Sequence, residues 1–93
     1  MWQIEEHRRV GKQLAAALLE IRKRYEKWLD VASLSGPPGV RAIRGFHDEA
    51  LSGPWRAHRS SRLNIQYRVI YRLVAARQLF QVVEVTAHDY RKR

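Results

Sequence analysis

The side chains that could cleave RNA without a metal lie around Glu49 and between Arg68 and Tyr90. Such cleavage needs a base that deprotonates the 2′-hydroxyl, a cation that stabilises the crowded phosphorane and an acid that protonates the leaving 5′-oxygen. Glutamate, arginine and histidine are suitable residue types for these three tasks. By composition alone, however, the sequence favours RNA binding over RNA cleavage, because arginine-rich sheets more often bind than cut.

The positive charge is concentrated in the C-terminal half of the chain. The 93 residues have a formal net charge of +9. Residues 54–93 contain nine lysines and arginines against two acids, Glu84 and Asp89, whereas residues 1–53 are nearly balanced. This excess indicates a polyanionic partner, which could be nucleic acid, an acidic membrane surface or an acidic protein. The planar arginine fork suits phosphate and base stacking, so nucleic acid is favoured.

Length and composition indicate a single domain spanning residues 1–93. Apolar residues make up 45% of the chain, which is enough for a small core. There is no cysteine, which suits a reducing cytoplasm and leaves no disulfide or zinc–thiolate site. We find no apolar run long enough to span a bilayer and no signal peptide, so we expect no membrane association.

The first third of the chain predicts a strand followed by helical structure. Residues 2–6 alternate weakly, as a strand does. From about Arg8, apolar residues recur at spacings of three and four and predict an amphipathic helical region. Periodicity leaves open whether this region is one helix or two joined near Ala17. It is expected to end at residues 35–39, Ser-Gly-Pro-Pro-Gly, because proline removes an amide and glycine permits a left-handed cap.

After an ambiguous stretch at residues 40–54, the hydrophobic period becomes two. Residues 55–63, 67–73 and 79–86 are strand candidates, with turns at Asn64 and at residues 74–77. Helices first and strands after predict an α+β fold, with an N-terminal strand and helices on one face of a small antiparallel sheet. Arg68 and Arg72 would share a face of this sheet. The segment His88–Tyr90 would return beside residues 62–68.

Four segments, in this order, resemble the RelE superfamily of bacterial toxins. They are Gly45–Gly53 with its Leu51-x-Gly53 turn, Trp55–Leu63, Tyr67-Arg68-Val69-Ile70-Tyr71, and Val85–Tyr90. The resemblance covers nearly the whole chain and implies a RelE-like microbial RNase fold with a helical hairpin. It further implies the toxin of a type II toxin–antitoxin system, a metal-independent endoribonuclease that cuts mRNA in the ribosomal A site. Its partners would be a cognate antitoxin and the ribosome with its rRNA and mRNA, without a cofactor, in the bacterial cytoplasm.

The resemblance also implies roles for individual residues. Arg68 matches an arginine that contacts the scissile phosphate. Glu49 matches a residue that acts as a base, and His88 matches a histidine that acts as a general acid. Tyr90 and Asp89 match residues that stack on or orient the nucleotide, and Arg62 matches a polar active-site position. The further RNA-binding residues that we expect are Arg44, Arg56, Arg59, Arg72 and Arg91.

One departure and several alternatives bear on these roles. No lysine occurs between Lys27 and Lys92, so a glutamate–arginine–histidine scheme would replace the lysine-based one of the founding member. A ParE-like inhibitor of DNA gyrase on the same scaffold and a plain RNA-binding module are competing functions. If these residues have no functional role, Arg68 is expected to be a surface arginine paired with Glu84, and Asp48 is expected to be a turn residue. The oligomeric state is left open.

Overall fold

A computed structural model describes residues 1–87, which form two helices and five strands. The helices are α1 (Arg8–Ala16) and α2 (Leu19–Ala42). The strands are β1 (Gln3–Glu6), β2 (Glu49–Ala50), β3 (Arg59–Arg62), β4 (Arg68–Val74) and β5 (Leu79–Thr86). Short 3-10 turns occupy Arg44–Phe46, Gly53–Trp55 and Ala75–Arg77.

The strands form one mixed sheet in the order β1-β5-β4-β3-β2. Strands β2 to β5 pair antiparallel, whereas β1 lies parallel to β5 at the edge of the sheet. The α+β class and the N-terminal strand are therefore confirmed, but the expectation of a purely antiparallel sheet is wrong for β1. A parallel pair needs a long crossover connection, and the helices and three strands between β1 and β5 supply it.

The helical region is a hairpin of two helices, as the resemblance implied. Ala17 and Leu18 between them have extended backbone conformations, with ψ of 159° and 152°. The amide of Ala17 donates to the carbonyl of Leu14 at 3.1 Å and so closes α1. Ala17 is itself buried in the core, which fixes the junction against the rest of the molecule.

The predicted helix end at residues 35–39 is confirmed in part: the helical path breaks at Gly36, but a second helical segment follows directly and extends α2 to Ala42. Gly36 has φ of +67° and breaks the helical path, and Pro37 and Pro38 then begin the second segment. Proline is well tolerated in the first turn of a helix, where its missing amide has no partner to lose. The sequence pattern of a helix end is thus the same as that of a kink followed by a new start.

Replacing Gly36 by alanine is expected to lower the free energy of unfolding by roughly 2 kcal/mol, since its backbone angles are almost restricted to glycine. An added Cβ would also lie 2.7 Å from Nε1 of Trp2. Gly11→Ala is the matched control, because nothing lies within 4 Å of its Cβ position, inside α1. Urea unfolding should show the control unchanged or slightly stabilised, and equal losses in both variants would contradict the explanation.

An aromatic cluster forms the centre of the core between the helices and the sheet. Trp28 is fully buried, and its ring centroid lies 5.4 Å from that of Tyr71 and 5.5 Å from that of Phe80. Tyr25 stacks on Trp28 at 6.0 Å. The helical positions Tyr25 and Trp28 therefore face the core, as their spacing predicted.

The strand boundaries agree with the sequence pattern in the C-terminal part and differ before it. β5 matches the predicted residues 79–86, and Asn64 forms the predicted turn by accepting from the amides of Gln66 and Tyr67. The predicted strand at residues 55–63 is shorter, because Gly53–Trp55 forms a 3-10 turn. The two-residue strand β2 was not predicted, since it is too short to show a period.

Candidate active site

Several of the predicted site residues lie on the face of the sheet opposite the helices, called here the outer face. The strand register places Glu49 opposite Ser60, Ser60 opposite Ile70, and Ile70 opposite Glu84. The next row, two residues along, consists of Arg62, Arg68 and Thr86. Directly opposed residues of paired strands point to the same face, with Cβ atoms about 5 Å apart. Arg62 and Arg68 are such a pair, and Glu49 lies in the neighbouring row.

The central arginine of this arrangement is buried. Only 5% of Arg68 is exposed, and Ser60 and Ile70 beside it are buried as well. Arginine is almost never this buried unless its charge is compensated. The interpretation of Arg68 as a surface arginine is therefore wrong.

The C-terminal candidates His88, Asp89, Tyr90 and Arg91 lie outside the described residues. The last described strand, β5, ends at Thr86, directly opposite Arg68.

The other predicted RNA-binding arginines are dispersed. Arg72 is exposed on the outer face, four residues or about 13 Å along β4 from Arg68. Arg44 and Arg56 are exposed in the connections before β2 and β3. Arg59 differs, because its register partner is the core residue Tyr71 and its side chain, 24% exposed, is paired with Asp48. These positions form no single cluster around Arg68.

Asp48 is the centre of a buried polar network rather than a simple turn residue. Its side chain is completely buried. One carboxylate oxygen accepts from Nε of Arg59 at 2.7 Å, and the other accepts from Oγ of Ser61 at 2.7 Å and from the hydroxyl of Tyr71 at 2.5 Å. Buried carboxylates need such donors, because an unpaired buried charge is very unfavourable. Nothing in the sequence near Asp48 indicates this role, since its partners are 11 to 23 residues away.

This network fixes the segment that carries Glu49. Asp48 ties the residue before β2 to side chains of both β3 and β4, across the core side of the sheet. His47 before it has a left-handed backbone conformation, with φ of +44°. Because neighbouring residues of a strand point to opposite faces, anchoring Asp48 on the core side directs Glu49 to the outer face.

Two tyrosine hydroxyls are bound to carboxylates and shielded from solvent. Burial, aided by the hydrogen bond to Asp48, raises the pKa of Tyr71 well above its ordinary value of 10.0. Burial and the hydrogen bond to Glu6, at 2.6 Å, likewise raise the pKa of Tyr25. For Arg59, burial opposes the charge, but the hydrogen bond and the negative charge of Asp48 outweigh it and raise the pKa.

The raised tyrosine pKa values predict a loss of stability in alkali. Unfolded tyrosine ionises near pH 10.0, while Tyr25 and Tyr71 stay protonated in the fold, so their contribution is present below that pH and is lost as the pH rises above it. Each should remove about 1.4 kcal/mol of unfolding free energy per pH unit. Urea unfolding between pH 8 and 11 should show this decline. It should be shallower for Tyr71→Phe than for the unchanged protein, and equal declines in the two proteins would contradict the assignment.

The residues that the structure describes contain neither a metal-binding cluster nor a membrane-spanning helix. Within residues 1–87, no group of three or more histidine, cysteine, aspartate or glutamate side chains is arranged to hold a metal ion. No helix among these residues is both long enough and apolar enough to cross a membrane.

Solved structures with the same architecture are toxins and toxin–antitoxin complexes. The chain superposes on the archaeal RelE–RelB complex from Pyrococcus horikoshii with a TM-score of 0.74 and 21% identity, covering 99% of this chain and 97% of the other. The YoeB dimer from Staphylococcus aureus gives 0.74 and 14%, covering 95% and 98%. The Escherichia coli DinJ–YafQ toxin–antitoxin complex gives 0.73 and 16%, covering 91% and 90%.

Similarity in sequence is much weaker than similarity in structure. No protein-family model matches the chain, and no curated protein matches it by sequence. The structural matches nevertheless include both the helical hairpin and the sheet, since they extend over more than nine-tenths of the chain. This chain therefore has the fold of the RelE, YoeB and YafQ toxins.

Proposed function

We propose that this protein is the toxin of a type II toxin–antitoxin system and that it is an endoribonuclease that cleaves mRNA on the ribosome. The observation that carries the proposal is the pair Arg62 and Arg68 on the outer face, with Glu49 in the neighbouring row. This arrangement occurs on a fold shared with RelE, YoeB and YafQ. In the proposal, Glu49 is the base and Arg62 and Arg68 bind the phosphate, all three on one face of the sheet.

In the proposed reaction, Glu49 removes the proton of the 2′-hydroxyl and His88 protonates the leaving 5′-oxygen. Arg68 stabilises the negative charge that develops on the phosphorane, assisted by Arg62. Tyr90 stacks on the base and Asp89 orients the nucleotide. The scheme needs no metal or other cofactor. Only 5% of Arg68 is exposed, and a charge at a site shielded from water stabilises an anion more strongly than a charge in water.

The remaining arginines have a docking role in this proposal. The exposed residues Arg44, Arg56 and Arg72, together with Arg91, would contact rRNA around the A site. Arg59 would contribute less, because its guanidinium is paired with Asp48. The RelE and YafQ structures above are complexes with RelB and DinJ, and we propose a cognate antitoxin for this chain as well, with an acidic or amphipathic segment that covers the basic surface.

The function is tested by mapping the 5′ ends of cellular mRNA after induction of the gene. We expect growth arrest and new 5′ ends within translated codons, which disappear when translation initiation is blocked. Cleavage that persists on untranslated RNA would contradict ribosome dependence. Inhibition of DNA supercoiling by the purified protein, with intact mRNA, would contradict the nuclease and support a gyrase inhibitor.

A further inference from the structure

A second cationic site lies at the end of β3, between α2 and the turn Arg44–Phe46. It is a cavity of about 330 Å³. Its cationic lining residues are Lys23, Arg24, Lys27 and Arg62. The rest of the lining consists of Gly45 and the apolar residues Ile43, Phe46 and Leu63, and no lining residue is acidic.

Two of the arginines connect this cavity to the fold and to the outer face. Nη1 of Arg24 donates to the carbonyl of Leu63 at 3.2 Å, which holds its planar guanidinium at the cavity wall. Arg62 lies in the cavity lining and is also the register partner of Arg68. Its Nε is buried and has no hydrogen-bond acceptor among the described residues, and an unsatisfied buried donor is unfavourable. An anion bound here would supply the missing hydrogen-bond acceptor.

We propose that this cavity binds one nucleotide of the RNA substrate, adjacent to the phosphate held by Arg68. The phosphate of this nucleotide would contact Lys23, Lys27 and Arg62. Its base would lie between the apolar wall and the plane of the Arg24 guanidinium, as bases commonly do in single-stranded RNA recognition. The inference deepens the proposed nuclease function, because it assigns a site that selects the substrate beside the reacting bond.

Size and charge favour a nucleotide over an acidic peptide. The cavity is at the lower end of the range of ligand pockets, roughly 300–1,000 Å³, and so suits one small unit rather than a helix. Four cationic residues and no acidic residue line this small volume, which suits the localised charge of a phosphate. Arg62 and Arg68 are about 5 Å apart at Cβ, so neighbouring phosphates of one strand can reach both.

Binding of a 2′-O-methylated hexaribonucleotide, which has no 2′-hydroxyl to react, tests the proposal separately from cleavage. Fluorescence anisotropy at several salt concentrations is measured for the full chain, for Lys23→Gln/Lys27→Gln and for Ile43→Ala. We expect the double variant to bind about tenfold more weakly, with the salt slope reduced by about 0.7 for each phosphate that its side chains no longer neutralise. Ile43→Ala should weaken binding roughly fivefold without changing the slope, because it removes only packing against the base.

Arg22→Gln is the matched control, since Arg22 is an exposed α2 residue that does not line the cavity. If the control and the double variant lose affinity for the RNA equally, the proposed binding in the cavity is wrong and diffuse charge attraction explains the binding. A decaglutamate peptide that displaces the RNA from the unchanged protein but not from the double variant would support an anion-binding site in the cavity. A peptide that binds the cavity when RNA does not would overturn the proposal. If the double variant binds RNA with normal affinity and the unchanged protein cleaves mRNA, only the nucleotide site is contradicted. If binding depends on the cavity but the unchanged protein does not cleave mRNA, only the nuclease function is contradicted.

Discussion

Replacing Arg68 by alanine is expected to reduce mRNA cleavage by about 10²- to 10³-fold, the loss typical of removing one group that stabilises an anionic transition state. Arg68 is buried, lies beside Arg62 and has Glu49 in the neighbouring row. A guanidinium removed from water interacts strongly with a phosphorane, because the surrounding dielectric is low. The rate is measured on programmed ribosomes, by the appearance of cleaved message under single-turnover conditions.

Because Arg68 is buried, its variants need a separate check of folding. Arg68→Lys retains the positive charge but loses the two-pronged geometry, and we expect an intermediate rate. Arg77→Ala is the matched control, since Arg77 is an exposed arginine in the turn after β4 and has no proposed role in RNA binding. A folded Arg68 variant, alanine or lysine, that cleaves as fast as the unchanged protein would contradict the assignment. So would equal losses for Arg68→Ala and Arg77→Ala.

Replacing Asp48 by alanine is expected to lower the free energy of unfolding by about 3–5 kcal/mol, the usual cost of removing one partner from a buried ion pair. The substitution leaves three donors without their acceptor: Nε of Arg59, Oγ of Ser61 and the hydroxyl of Tyr71. Arg59 remains partly exposed and can regain water, which places the expected loss near the lower end of the range. For a domain of this size, such a loss is a large part of the total stability.

Urea unfolding of three variants separates this network from a general charge effect. Asp48→Asn retains one carbonyl acceptor and should lose less stability than Asp48→Ala. Asp30→Ala removes an exposed acid from α2 and should change stability by less than about 0.5 kcal/mol. If Asp48→Ala is as stable as Asp30→Ala, the network contributes little to folding. We also expect Asp48→Asn to slow RNA cleavage, because Asp48 positions the segment that carries Glu49.

The elements with a strong local signal were predictable from the sequence. The strand at residues 79–86 is rich in β-branched and aromatic residues, and its boundaries agree with those of β5. The helical spacing of Tyr25 and Trp28 placed both in the core. The end of α2 was not predictable in the same way, because a Gly-Pro-Pro sequence can stop a helix or start one. In the fold, the indole of Trp2 lies against Gly36, at the point where α2 kinks.

The same distinction between local sequence signals and tertiary packing applies to the candidate site. The sequence by itself determined the excess of arginine, the period-two strands and hence that Arg68 and Arg72 share a face, because alternation is a local property of the backbone. The tertiary structure alone decided that Arg62 stands beside Arg68, that Glu49 reaches the same face, and that Asp48 and Arg59 are paired in the interior. These relations depend on strand register and on contacts between distant residues. Local periodicity fixes which way a side chain points, but register and packing fix which side chains meet.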